Sequence, residues 1–154
     1  MNTIDISYDN SAYAKFAPKK YVLNHLNRTL KALGLNDVEF SVSFVAEENM
    51  RSVNREYRNI DDSTDILSFS VEDESEEPFI TAGRRKRILG DILICPEVLK
   101  RNAKTFNISE NEELRRLLIH GVLHLSGENH STNDASEPML IHQETLLKKL
   151  EQSS

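Results

Sequence analysis

Three of the chain's five histidines fall in one short run, His120-Gly121-Val122-Leu123-His124-Leu125-Ser126-Gly127-Glu128-Asn129-His130. No other feature constrains the fold as strongly, because its geometry is set by spacing alone. His120 and His124 stand four apart, so on a helix of about 3.6 residues per turn their imidazoles share one face and can reach one metal ion. Gly127 follows three residues later, where a residue free to adopt the left-handed conformation can end the helix and turn the chain back. That turn can deliver His130 to the same ion. The run therefore requires a helix, a tight reversal and a return to the helix face.

Three imidazoles with one open position describe a catalytic zinc site, whereas structural zinc is usually closed by four protein ligands rich in cysteine. The sequence offers no obvious fourth ligand. The spacing H-x-x-x-H-x-x-G-x-x-H is that of the metzincin proteases, which carry Glu directly after the first histidine as general base. Here Gly121 holds that place. Glycine accepts no proton, so the metal geometry is kept without the protease base, and a metallopeptidase or amidohydrolase is disfavoured.

The rest of the chain alternates strand and helix signals. Ile4, Ile6 and Tyr8 predict a first strand, and Tyr21, Val22, Leu26, Leu30 and Leu33 a helix over about residues 17–33 that Gly34 stops. His25 on this helix reads as a surface or satisfied histidine. Val38, Phe40, Val42 and Phe44 alternate strictly and predict a second strand with one buried face. Residues 47–58 form a helix with Met50, Val53 and Tyr57 inward and a basic edge of Arg51, Arg55 and Arg58. Asp61-Asp62-Ser63 reads as a turn.

Ile66, Leu67 and Phe69 predict a third strand, and Ile88 to Ile94 a fourth whose near-continuous apolar run suggests cover on both faces. Asp91 inside that run either satisfies neighbouring donors or orients an active-site group behind the metal ligands. The connection over residues 71–87 shows no sustained periodicity. Pro96 opens a helix to about Phe106, and Ser109 with Glu112 forms a capping-box pattern for the histidine helix. Leu114, Leu117, Leu118, Gly121 and Leu125 supply its core stripe, leaving His120 and His124 on a neighbouring face at the rim of the core. A last helix covers about residues 138–150, with Met139 as a packing residue. These signals predict an α+β fold over residues 1–154 as a single domain, about four strands in one small sheet covered by about five helices.

With 154 residues the chain can bury a core without disulfides, and its one cysteine, Cys95, cannot form an internal bridge, which suits a reducing compartment. The amino terminus lacks the basic start and apolar run of a signal peptide, and no window approaches the length of a membrane span. A cytoplasmic location is the expectation. The formal charge of −6 argues against binding nucleic acid over the whole surface, so any RNA must find a basic island. Arg84-Arg85-Lys86-Arg87, following the acidic run from Glu72 to Glu77, is the obvious one.

The run H-G-x-L-H-L-x-G-x-x-H resembles the signature of the YbeY family, bacterial metal-dependent endoribonucleases of ribosomal RNA maturation. Asn54-Arg55-Glu56-Tyr57-Arg58 is similar to that family's N-x-x-Y-R segment, Ser63-Thr64-Asp65-Ile66-Leu67-Ser68-Phe69 to its T-D-V-L-S-F segment, and Leu89-Gly90-Asp91-Ile92-Leu93-Ile94 to its L-G-D-I-x-I strand. The resemblance spans about the whole chain and agrees with the α+β fold. It implies a hydrolase of phosphodiesters in single-stranded ribosomal RNA or its precursors, with one Zn2+ held by His120, His124 and His130 and its open site binding a water of pKa about 7.

His120 and Arg58 would be the catalytic residues, Arg58 neutralising the non-bridging oxygens, and Arg55, Arg84, Arg85, Lys86 and Arg87 the RNA-binding set. Ribosomal subunits or ribosomal proteins are the implied partners, with no membrane and no DNA. One departure stands out: where the family usually has Tyr-Asp or a similar pair before the third histidine, this chain has Glu128-Asn129. No aspartate role transfers, and Asn129 enters only as a polar neighbour of the ligands. The alternative reading is a ribosome-associated processing factor whose metal is structural.

Overall fold

In the computed structural model, which describes residues 1–71, 80–81 and 86–152, the elements run β1 (Thr3–Tyr8), α1 (Ser11–Phe16), α2 (Lys19–Leu33), β2 (Val38–Phe44), α3 (Glu47–Arg58), β3 (Ile66–Ser70), β4 (Ile80–Thr81), β5 (Lys86–Ile94), α4 (Pro96–Phe106), α5 (Glu110–Leu125) and α6 (Pro138–Gln152). The sheet has the order β1-β2-β5-β3. β1, β2 and β5 run parallel, β3 pairs antiparallel with β5, and the short β4 pairs with the start of β5. Parallel neighbours need crossover connections, which α1 and α2 supply between β1 and β2.

Side-chain parity decides which face of the sheet is covered. Ile6, Val42, Ile92 and Ser68 lie in register across the four main strands, and this face packs against α2 and α5 through Leu26, Leu30, Leu118 and Val122. Its neighbours in each strand point the other way. There Leu67, with Phe69 and Leu93, meets Met50 and Cys95, while Asp5, Ser41 and Asp91 form a polar row farther along the sheet. A second core joins α5 to α6 through Ile119, Leu123, Met139, Leu146, Leu147 and Leu150. Met139 is thus a packing residue, as its place on the stripe predicts.

Several expectations need correction. α1 precedes the expected first helix, begun by Asn10, whose side chain accepts from the Tyr13 N–H at 3.2 Å; with β4 this raises the count to five strands and six helices among the described residues. β5 is not covered on both faces: Asp91 is exposed and accepts from the Ser41 hydroxyl at 2.5 Å. Tyr57 is not inward; it lies exposed, edge-on to Phe69, because the helix carrying it covers only the end of that face. Lys86 and Arg87 are not in a loop but begin β5, where the Lys86 ammonium donates to the Thr3 hydroxyl and the Arg87 N–H to the Asp37 carbonyl. Arg84, Arg85 and the acidic run lie outside the described residues. No described helix is long and apolar enough to cross a membrane.

Candidate metal centre

α5 is placed at both ends before it can present ligands. Ser109 caps it, its hydroxyl accepting from the Glu112 N–H at 3.0 Å, and Glu110, Glu112 and Glu113 favour the positive end of the helix dipole. At the other end the Gly127 N–H donates to the His124 carbonyl at 3.1 Å and the Glu128 N–H to the Leu123 carbonyl at 3.0 Å. This double closure needs a left-handed residue, and Gly127 supplies it at φ +109°. The reversal brings His130 back to the helix face. Glu128 anchors the loop to α6 through His142 at 2.9 Å.

The sheet sets the depth of the helix. A Cβ on Gly121 would lie 2.7 Å from Ile92 Cδ1 and 3.1 Å from both its Cγ atoms. The position where the metzincins carry their base is therefore pressed against β5. His120 and His124 emerge beside that contact, half-buried, at the edge of the core.

Ligand atoms of His120, His124 and His130 lie within 4.8 Å of one another, and the ring centroids are 4.7 to 5.3 Å apart. His120 Nδ1 is 2.6 Å from Gln143 Oε1, and His130 Nδ1 is 2.7 Å from the Thr132 carbonyl. Both acceptors call for a proton on Nδ1, which leaves Nε2 with a lone pair. Burial pushes His120 below its ordinary pKa, against the opposing pull of Gln143. Burial, followed by the neighbouring rings of His120 and His130, pushes His124 down to about 4, and Asn129 hydrogen-bonds it. Neutral imidazoles with oriented lone pairs are what a divalent transition metal requires, so the donor set fits one ion.

The trio opens into a cleft of about 750 Å³ that also receives Arg58, Asp65, Asn102, Glu113, Arg116 and Asn129. Arg58 is exposed at the end of α3 and forms no ion pair among the described residues. Asn54, on the same helix, has a different task, its amide holding the following turn through the Asp62 carbonyl at 3.0 Å. Arg55 does not reach the cleft and faces Asp61 at 3.7 Å. Lys86, Arg87 and Asp91 are not brought to it either, Asp91 because its side chain leaves the sheet on the opposite face.

The sequence reading missed a network behind the ligands. Arg116 contacts Glu113 at 2.9 Å, Glu112 at 3.2 Å and Glu144 at 2.8 Å, and Gln143 Nε2 donates to Glu144 at 2.9 Å. Burial raises Glu113, while Arg116 pulls it back. Burial also raises Asp65, which accepts from Asn102 at 3.3 Å. A signal existed. Glu113 and Arg116 precede His120 by two turns and one turn on the same helix face, and Gln143 interrupts the apolar stripe of Met139 and Leu147.

The family model described as Endoribonuclease YbeY matches residues 3–151. Among curated relatives, the Endoribonuclease YbeY of Treponema denticola is 38% identical over 146 residues, covering 95% of this chain and 92% of the relative. That of Staphylococcus aureus (strain JH9) is 36% identical over 148 residues, covering 96% and 95%. The solution structure of TM1509 from Thermotoga maritima has a TM-score of 0.61 at 26% identity, covering 98% of this chain and 91% of that one. With a family match over nearly its whole length and relatives this similar, the chain belongs to the YbeY endoribonuclease family.

Proposed function

We propose that this chain is a zinc-dependent, single-strand-specific endoribonuclease of ribosomal RNA maturation, with residues 1–154 acting as one cytoplasmic domain and with rRNA precursors and ribosomal subunits as partners. One observation carries the reading: an open cleft of an endoribonuclease-family chain holds three imidazoles, clustered within 4.8 Å, together with an arginine free of ion partners among the described residues. His120, His124 and His130 would hold the ion. Zinc bound there supplies Lewis acidity and an activated water.

The chain's own residues bind and orient the phosphodiester. Arg58 can hold two non-bridging oxygens through parallel hydrogen bonds and offset their charge as it accumulates, which an ammonium does only as a point charge. Gly121 takes no proton, and the Asn129 amide has no useful basicity near neutral pH, so Asn129 serves to position His124. The basic run Arg84 to Arg87, with Arg55, adds long-range attraction for RNA rather than chemistry.

The test is cleavage of a labelled single-stranded ribosomal RNA fragment, with a duplex and a peptide in parallel, by chelator-treated and zinc-restored protein. Zinc-restored cleavage of the single strand is expected. Retention on ribosomal subunits without cleavage would reassign the metal to structure, and peptide cleavage would reinstate the peptidase reading.

A further inference from the structure

The large apolar side chains exposed among the described residues are Met1, Tyr57, Ile60, Phe106 and Ile141. Single exposed apolar residues are ordinary. Phe106 differs from the others because it alone borders the cleft of the three histidines, where the residue is 63% exposed beside charged and polar groups.

The backbone that carries the ring is held in place. Phe106 is the last residue of α4, and the turn after it is closed by left-handed Asn107 and by the Ile108 N–H, which donates to the Ala103 carbonyl at 3.0 Å. One helical turn earlier, Asn102 borders the same cleft. Its amide donates to Asp65 at 3.3 Å, which orients it and leaves its carbonyl and second amide hydrogen for a ligand. Arg58 lines the same cleft. A π-face, an amide and a guanidinium match the three chemistries of an unpaired nucleotide: base face, base edge and phosphate.

We propose that Phe106 is the stacking platform for an unpaired nucleobase of the RNA substrate, with Asn102 meeting the edge of that base. The inference rests on the ribonuclease reading and deepens it. Inside a duplex both faces of a base are covered by its neighbours, so a ring carried on a helix end can take a base only from a single strand. Selectivity for unpaired RNA then follows from the cleft wall rather than from the metal.

The experiment is stopped-flow fluorescence anisotropy of a short labelled single-stranded oligoribonucleotide against the zinc-loaded full chain, read before cleavage sets in, with cleavage of the same RNA followed separately on a gel. Phe106→Ala should weaken binding about tenfold, within the range for loss of one stacked base. Phe106→Tyr should restore it, whereas Phe106→Leu, apolar but without a π-face, should not. Ile141→Ala, exposed but outside the cleft, should bind as wild type. Scanning an abasic site along the RNA should find one position that weakens binding to the wild type but adds nothing to Phe106→Ala.

Wild-type binding by both Phe106→Ala and Phe106→Leu would overturn the proposal. So would abasic penalties identical in the two proteins, which would assign the ring to another ligand, such as an apolar segment of a protein. If the wild type neither binds nor cleaves the oligonucleotide, the ribonuclease reading falls and takes this inference with it. If it does both and Phe106→Ala is unaffected, only the stacking assignment falls.

Discussion

Nδ1 of His120 lies 2.6 Å from Oε1 of Gln143, so α6 determines which ring nitrogen of a residue of α5 is left free to hold a metal. The amide is oriented in its turn. Its Nε2 donates to Glu144 at 2.9 Å, a carboxylate that only accepts, and Glu144 is held by Arg116 at 2.8 Å. Gln143 must therefore offer its oxygen to the ring. With Gln143 6% exposed, water cannot easily substitute for it.

Gln143→Ala should lower zinc affinity about 10- to 100-fold, the usual scale for losing the partner behind a ligating histidine. Gln143→Glu, which still accepts from Nδ1, should keep most of it. Competition with a chromophoric chelator measures both. Equal affinity in wild type and Gln143→Ala would show that the contact does not orient the ligand.

Gly121→Ala places a methyl against Ile92, and overpacking of this kind costs about 1–3 kcal/mol, partly offset by the roughly 1 kcal/mol gain in helix propensity. The thermal midpoint should fall. Ile92→Val, which removes the nearest atom, should destabilise alone yet recover part of the loss in the double variant. Strict additivity would contradict the contact. Gly121→Glu should not create a peptidase, because the side chain would meet the sheet.

Acid should destabilise the metal-free protein through its histidines. His25 is 3% exposed and donates from Nε2 to the Arg115 carbonyl at 3.1 Å, and burial pushes its pKa down to about 4. His124 is lowered to about 4 as well, chiefly by burial. The unfolded chain takes up these protons near the ordinary value of about 6.5, so the stability is present above that pH and is lost as pH falls toward 4. For His25 the loss is on the order of 3 kcal/mol at about 1.4 kcal/mol per pKa unit. Thermal melts in chelator from about pH 7 to about pH 5 should show a falling midpoint, with a shallower slope in His25→Gln. A flat profile in the wild type would be incompatible with buried neutral rings.

Arg58 is exposed and outside the core, so its removal should spare the fold. Arg58→Ala should lower kcat by about 100-fold, the scale of losing one preorganised donor, and Arg58→Lys should recover only part. Single-turnover cleavage at saturating enzyme tests this, with bound zinc and thermal midpoint followed in parallel. Undiminished cleavage rejects the role, and loss of zinc or of the midpoint makes the residue structural.

The histidine helix and its reversal were legible because every requirement lies within a few residues of sequence. The four-residue spacing sets the shared face, Ser109 caps the start, and Gly127 takes the turn conformation. The helix from Pro96 to Phe106 and the strand from Val38 to Phe44 were read at their observed bounds for the same reason. Asp91 was misread because an apolar run carries no sign of which neighbour covers which face. The run is real, but the element covering that side of the sheet stops short of Asp91.

By itself, then, the sequence determined the longer elements and the grouping of the three histidines, since backbone periodicity repeats every few residues and a spacing translates directly into a direction. Only the tertiary structure decided what lies behind and across from that triad. Gln143 stands 23 residues from His120 and meets it only because Met139, Leu146 and Leu147 seat α6 on α5. Phe106 and Arg58 share a cleft only because β3 and β5 carry α3 and α4 to the same end of the sheet as the histidines. Contacts between elements depend on how apolar faces pack in three dimensions, and that packing leaves no fixed spacing in the chain.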